Sequence, residues 1–366
     1  MPAYSTSTAP TDYTKLADDI KRMAREQGFQ QAGIADLDLS LAGERLRIWL
    51  ARGLHGSMDW MAAHGAKRWS PDLLLPGTVR VISVRMDYLA PESKLVARLR
   101  ERDKAYISRY AVGRDYHKLV RKRLASLAKK IDNLYPGTVI QRPFVDSAPV
   151  MEKPLAEKAG LGWIGKNTLL LNARAGSWFF LGELFTSLPL PVDTSPAENS
   201  CGKCRACLKV CPTNAFPEPY VLDARKCISY LTIENKDSIP LEFRAAIGNR
   251  VFGCDDCQTI CPWNRYARPS TEPDFRPRHQ LDDSQLTDLF LWTEQEFLDN
   301  TAGSPIRRIG YLRWLRNLAV GLGNAPHSDR VIAALVTRAQ HPSTMVREHV
   351  QWALAQHGHS SAATVA

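Results

Sequence analysis

The chain has no cysteine before residue 201 and none after 261, and no apolar run approaching eighteen residues. Its N-terminus, MPAYSTSTAPTDYTK, has neither an apolar core nor a basic flank. The first two absences argue against a disulfide-stapled secreted fold and a helical membrane span. The third predicts a soluble, cytoplasmic protein. P-loop, nucleophile-elbow and H-E-x-x-H patterns are missing as well. The glycine-rich GLGWIGKN (160–167) follows a helical stretch instead of a strand, so it fails as a Rossmann fingerprint. Acidic residues are in deficit, 38 against 48 basic, for a net charge of +10. Such an excess favours a polyanionic partner or merely solvates the surface. At 366 residues and 44% hydrophobic, the chain can bury two or three cores.

The cysteines that are present are confined and patterned. CGKCRACLKVCP places Cys201, Cys204, Cys207 and Cys211 before Pro212. That is the C-x2-C-x2-C-x3-C-P run of two-cluster ferredoxins, whose fourth thiolate reaches the other cubane. CDDCQTICP adds Cys254, Cys257 and Cys261, and Cys227 stands upstream. With the crossing pattern, Cys201, Cys204, Cys207 and Cys261 hold one [4Fe-4S] cluster, and Cys211, Cys227, Cys254 and Cys257 hold the second. Structural zinc is the alternative, although zinc sites usually present two separated pairs. The 26-residue insertion between Cys227 and Cys254 is apolar enough for helices. Asp255 and Asp256, inside the second group, are placed there by the ligand spacing and carry no assigned role.

The region before the cysteines reads as mixed α/β. Residues 77–88 and 137–145 have strand character. The segment between them sets Val120, Leu124, Leu127 and Ile131 on one face of a helix. NTLLLNARAGSWFFLGELF predicts two strands around a turn at 172–176, and FVDSAP predicts that Asp146 caps a helix. After a proline-rich linker, helices are expected near 284–299, 305–323, 328–340 and 343–357, paired as HEAT-like hairpins. Residues 301–366 contain seven arginines, no lysine, one Asp and one Glu. Arg307, Arg308, Arg313 and Arg316 suit phosphate recognition, or form a solvated arginine face.

GLHGSMDWM, ISRYAVGRDYHKLVRKRL, RPFVDSAPVMEKPLAEKAGLGWIGKNTLL and the two cysteine groups together resemble the epoxyqueuosine reductases. These are cobalamin-dependent enzymes of tRNA queuosine synthesis related to reductive dehalogenases. The resemblance runs from about residue 15 to 357. It implies an α+β multidomain fold: a flexible N-terminus at 1–14, an α/β cobalamin-binding domain at 15–190, a ferredoxin-like two-cluster domain at 191–270, and a HEAT-like tRNA-binding domain at 271–366. It implies reduction of the epoxide to the cyclopentene-diol with loss of water, an external low-potential electron donor, tRNA carrying epoxyqueuosine as partner, and a monomer.

By the same resemblance Asp146 is the proton donor, with its pKa raised by burial under the corrin and away from cations. Arg68, Arg109, Tyr110, His117, Lys166, Ser229 and Tyr230 join Asp146 as cobalamin contacts, each also open to an ordinary structural role. His55, in a turn, is a weaker candidate. DYHKLV departs from the usual cobalamin signature, because Val120 stands where glycine belongs. Two rival readings remain at this point: a reductive dehalogenase, and a ferredoxin-like electron carrier with an RNA-binding appendage.

Overall fold

The computed structural model describes residues 11–91, 93–135, 137–193 and 199–359, so most of the N-terminal stretch expected to be flexible lies outside it. Eight strands are present among these residues: β1 (Gln31–Ala35), β2 (Arg80–Asp87), β3 (Tyr106–Ile107), β4 (Gln141–Phe144), β5 (Trp163–Ile164), β6 (Leu170–Leu171), β7 (Phe179–Thr186) and β8 (Arg250–Phe252). One antiparallel sheet has the order β1-β2-β7-β4. Its inner strands are buried on both faces, and Ser83, Arg85 and Asp87 of β2 and Glu183 of β7 are polar residues enclosed there.

Side chains alternate between two cores. Ile82, Val84 and Met86 of β2, with Phe180 and Leu184 of β7, meet the helices Tyr13–Glu26 and Tyr116–Leu134. Val81, Phe179 and Phe185 point to the other face, against the helix Glu152–Lys158. The helix Tyr116–Leu134 buries Val120, Leu124, Leu127 and Ile131, as its periodicity predicts. Its N-cap is Asp115, whose carboxylate accepts the His117 N–H at 3.1 Å.

The two strands expected around the turn at 172–176 are present, β6 before it and β7 after it, with Asn172 and Gly176 bridged across the turn. The strands part beyond it, β6 pairing with β5 and β7 entering the main sheet, and the β5–β6 approach is close: a Cβ at Gly162 would lie 2.0 Å from the Leu171 carbonyl oxygen. One sequence expectation changes: Asp146 is not a helix cap. The helix begins at Glu152 with Met151 as its N-cap, and Asp146 sits six residues earlier with φ +52°.

The C-terminal region is helical. The element expected at 284–299 divides into Leu286–Leu291 and Glu294–Asn300, because Thr293 and Glu296 form a capping box that starts a new helix. The helix Gly310–Gly323 is buried on nearly every side. Its core is not private: Ala105, Ile107, Ala111 and Val112, with Val251 and Phe252, pack into the same cluster. The parallel pair β3–β8 makes this junction. The insertion after Cys227 forms a π-helical turn, Tyr230–Glu234, and the helix Leu241–Ile247.

Candidate active site and cluster ligands

Asp146 follows β4 in a left-handed backbone conformation, which is unfavourable for a residue with a Cβ. Three contacts hold it there. Its N–H donates to Glu152 Oε1 at 2.6 Å, and its Oδ2 accepts from Tyr116 Oη at 2.9 Å. His117 Nε2 lies 2.8 Å from the same Oδ2, while His117 Nδ1 lies 2.6 Å from Asp115 Oδ1. A carboxylate at each nitrogen favours the ring donating from both, as an imidazolium, against the opposing charge of the Arg308 guanidinium 3.0 Å from Nδ1. Burial alone would lower its pKa, but the bonds to Asp115 and Asp146 prevail and raise it to about 9.

The same contacts reverse the expectation for Asp146. Burial raises a carboxyl pKa, yet the hydrogen bond and charge of His117, then Tyr116 and Arg308, outweigh it and hold the group below its ordinary range. The expected isolation from cations is therefore wrong: Arg308 also bonds Asp115, at 2.6 Å. The resting proton resides on His117. Asp146 nevertheless faces a cleft, with 53% of its side chain open although protein surrounds it on most sides. Tyr110, Glu234 of the π-helical turn and Arg308 are close enough to couple to one another's charge and to Asp146 across that space.

Beneath the loop lies a feature missed in the sequence. Glu183 of β7 is fully buried, and neither carboxyl oxygen has a donor partner. Its carboxyl meets that of Glu152 instead. Burial first, and the neighbouring acids second, push Glu152 up to about 7 and Glu183 well above the carboxylate range. The only sequence signal was a lone acid in the apolar strand FFLGELFT.

The cysteines form two groups in space. Cys201, Cys204, Cys207 and Cys261 line one cavity of about 240 Å³, shared with Lys166, Asn167, Trp263 and Arg265. Burial and then the other three thiols push Cys207 up to about 11. Elsewhere, Cys227 lies near Cys211, Cys254 near Cys227, and Cys257 near both Cys227 and Cys211. Sets of four soft thiolate donors fit iron–sulfur clusters, whose metal charge would deprotonate them. Asp255 and Asp256 have roles the sequence did not disclose. Asp255 accepts from Tyr106 Oη, Ser108 Oγ and the Arg109 N–H, tying the second cysteine loop to β3, and Asp256 pairs with Arg250.

Comparison with known proteins agrees with this division. Residues 68–147 match the family described as epoxyqueuosine reductase QueG, DUF1730, and residues 200–264 match a 4Fe-4S double cluster binding domain. The epoxyqueuosine reductase of Pseudomonas aeruginosa is 61% identical over 350 residues, covering 96% of this chain and 97% of that one. This chain belongs to the epoxyqueuosine reductase family. The Escherichia coli member is 56% identical over 348 residues, 95% of this chain and 91% of that one. Among solved structures, an epoxyqueuosine reductase with an epoxyqueuosine-modified tRNA-Tyr stem loop has a TM-score of 0.85 at 27% identity, covering 94% of this chain and 91% of that one. The Streptococcus thermophilus enzyme gives a TM-score of 0.82 at 27% identity, with 93% and 89% covered.

Within this family frame the remaining candidate residues separate. Tyr110 packs edge-on to Tyr116, beside Asp146 and His117. Arg68 is 6% exposed, lies over the Trp60 ring and bonds the Trp60 carbonyl, with burial alone lowering its pKa. Ser229 bonds the Cys254 carbonyl and the Cys227 thiol, and so lies against the second cysteine set. Tyr230 Oη accepts the Ser57 N–H at 2.9 Å and packs on Gly56, binding the 55–57 turn to the cysteine region. His55 lies in that turn near Trp49.

Three candidates are engaged elsewhere. Lys166 donates to the carbonyls of Gly202 and Cys204 and so closes the first cysteine loop. Arg109 is 4% exposed, with its guanidinium over Tyr106 and bonded to the Ile107 carbonyl, which commits it to the interior. Arg316 is fully buried and donates to the carbonyls of Leu231, Asn235 and Asp237, so it has no surface to offer a phosphate. Burial, then Arg313, pushes its pKa down to about 9. Arg313 donates to the Ile309, Ile233 and Arg308 carbonyls, Arg307 is exposed, and Arg308 faces the cleft.

Arg316→Met should lower stability by roughly 3 kcal/mol, because several buried carbonyls lose their donor. Thermal unfolding will register this as a lower Tm, while tRNA affinity at a temperature where the variant is folded stays at the wild-type value.

Proposed function

We propose that this chain reduces epoxyqueuosine to queuosine at the wobble position of tRNA, using cobalamin and two [4Fe-4S] clusters. The observation that carries this reading is the part-exposed Asp146–His117 ion pair, with Glu234 of the π-helical turn that follows Cys227 within charge reach of Asp146. The mixed charge around Asp146, with Glu234, His117 and Arg308 close by, suits a large amide- and phosphate-bearing cofactor. Bound there, cobalamin supplies a strongly reducing cobalt centre. Arg68, Tyr110, His117, Ser229 and Tyr230 are the residues offered toward it. Cys201, Cys204, Cys207 and Cys261 hold one cluster, and Cys211, Cys227, Cys254 and Cys257 the other.

The protein's part is to manage protons. Conversion of the epoxide to an alkene and water consumes two electrons and two protons, and the departing oxygen needs protonation as charge builds on it. His117 passes its Nε2 proton to Asp146 Oδ2, and Asp146 delivers it to that oxygen. Tyr116 and Glu152 keep the carboxylate aimed into the cleft. Arg307 and Arg308, on the HEAT-like helical region 271–366, meet tRNA phosphates. Regions 15–190 and 191–270 carry the corrin site and the clusters. An external low-potential donor supplies electrons to this monomeric, cytoplasmic enzyme.

Anaerobic incubation with cobalamin, a strong reductant and epoxyqueuosine-containing tRNA tests the reading. Mass spectrometry should find the nucleoside lighter by one oxygen, and unchanged nucleoside would reject the assignment. The rate should also depend on pH in one direction. The His117 charge is complete below its ordinary pKa of 6.5 and is lost as pH rises through about 9. Single-turnover rates therefore hold across neutrality and fall on the alkaline side, and His117→Asn removes that limb.

A further inference from the structure

We propose that Glu183 is held as a neutral acid and, through Glu152, positions the proton-donating loop. This inference rests on the reading of Asp146 given above. Glu183 lies at the centre of the sheet, opposite Ser83 on β2 and Phe144 on β4, and is 0% exposed. These two paired residues carry no charge; farther along the same face Arg85 of β2 is engaged by Asp87 and Arg142 of β4 lies over the Phe144 ring. From the helix Glu152–Lys158 it meets the Glu152 carboxyl, and the nearby charge beyond that is Asp146. Lys153 follows Glu152 and lies within charge reach of Glu152 and Asp146, while its ammonium donates to the Thr168 carbonyl at 2.8 Å. His117, Tyr116 and Arg308 act on Asp146 from the far side of the loop, and the His117 charge also reaches Glu152, but none of these cations reaches Glu183.

Two carboxyls pressed together with no cation between them cannot both ionise. The fully buried one keeps its proton, and its O–H donates to Glu152. Glu152 then has an oxygen free to accept the Asp146 N–H, at 2.6 Å. That bond fixes a backbone conformation which Asp146 would not adopt unaided, φ +52°. The chain of contact is thus β7 acid, helix acid, loop amide, with the cleft-facing carboxylate at its end. Glu183 and Glu152 are positioning residues, and neither touches substrate in this scheme.

Infrared difference spectroscopy on the cofactor-free protein reads the first half without any turnover. The wild-type minus Glu183→Gln spectrum at neutral pH should contain the C=O stretch of a protonated carboxylic acid. A carboxylate band in its place overturns the proposal, and so does a Gln variant that fails to fold, since a neutral amide should replace a neutral acid. Kinetics reads the second half. Glu152→Ala, on a part-exposed helix face, should lower kcat at least tenfold with KM for tRNA within about twofold. Glu183→Ala should do likewise, with Glu183→Gln recovering at least fivefold over it. Wild-type kcat in Glu152→Ala overturns the positioning role. A wild-type enzyme inactive on epoxyqueuosine tRNA would instead reject the underlying function, leaving the infrared result intact.

Discussion

Replacing Asp146 with asparagine is expected to lower the rate of epoxide reduction by about a thousandfold, in the range that a positioned general acid contributes. The substitution is a narrow one. The amide has the same size, its oxygen can still accept from Tyr116 and His117, and asparagine tolerates the left-handed backbone that Asp146 adopts at φ +52°. The loop should therefore stay seated on Glu152. What disappears is the ability to take a proton from His117 and release it toward the cleft. Single-turnover rates on modified tRNA measure the loss, with iron content and tRNA affinity as controls for folding. A rate within tenfold of wild type would mean that His117 protonates the leaving oxygen without Asp146.

Cys261→Ser should damage the cluster formed by the first cysteine group, although Cys261 belongs to the second group in sequence. It shares a cavity with Cys201, Cys204 and Cys207, not with its sequence neighbours Cys254 and Cys257. Iron per chain should fall from about eight atoms to about four, the content of one cubane. Turnover with an external reductant should drop to near background, because electrons lose one of two relay stations. The pairing has its own signature: Cys207→Ser and Cys261→Ser together should be no worse than either alone. Electron paramagnetic resonance should then find the remaining cluster unaltered. Additive losses, with no iron left in the double variant, would place the two thiols on different clusters.

The parts of the site that were legible in the sequence are those whose chemistry is local. Cysteine spacing is such a case, since a cubane held by C-x2-C-x2-C needs its ligands within one short loop. The helix carrying His117 was legible because Val120, Leu124, Leu127 and Ile131 repeat at helical intervals. The failures share a cause, which is that side-chain environment is set by segments far away in the chain. Arg313 and Arg316 look alike in sequence. Only the packing of the 231–237 segment against their helix decides that Arg316 is sealed inside. Leu312, at helical spacing from Leu315, Ala319 and Leu322, is nevertheless 45% exposed, because it lies in the first turn of a helix that other segments enclose only from Trp314 onward. The Asp146 environment was misjudged for the same reason, since Arg308 arrives from the C-terminal helices. The Glu152–Glu183 contact joins a helix to a strand 31 positions later, and no local pattern announces it.

The shared core around β3 and β8 bears on how the enzyme is made. Ile107, Val251 and Phe252 have their partners among Leu286, Phe290, Trp314 and Leu318. A nascent chain whose last eighty residues are still in the ribosome leaves those side chains uncovered, and such a delay carries an aggregation hazard. The second cysteine loop, anchored to β3 by Asp255, waits with them. The second cysteine loop thus reaches its final setting only once the C-terminal helices are in place. For the same reason, deletion of the C-terminal helices unseats the cofactor region as well as the arginines, so single-residue changes are the informative way to map the RNA surface.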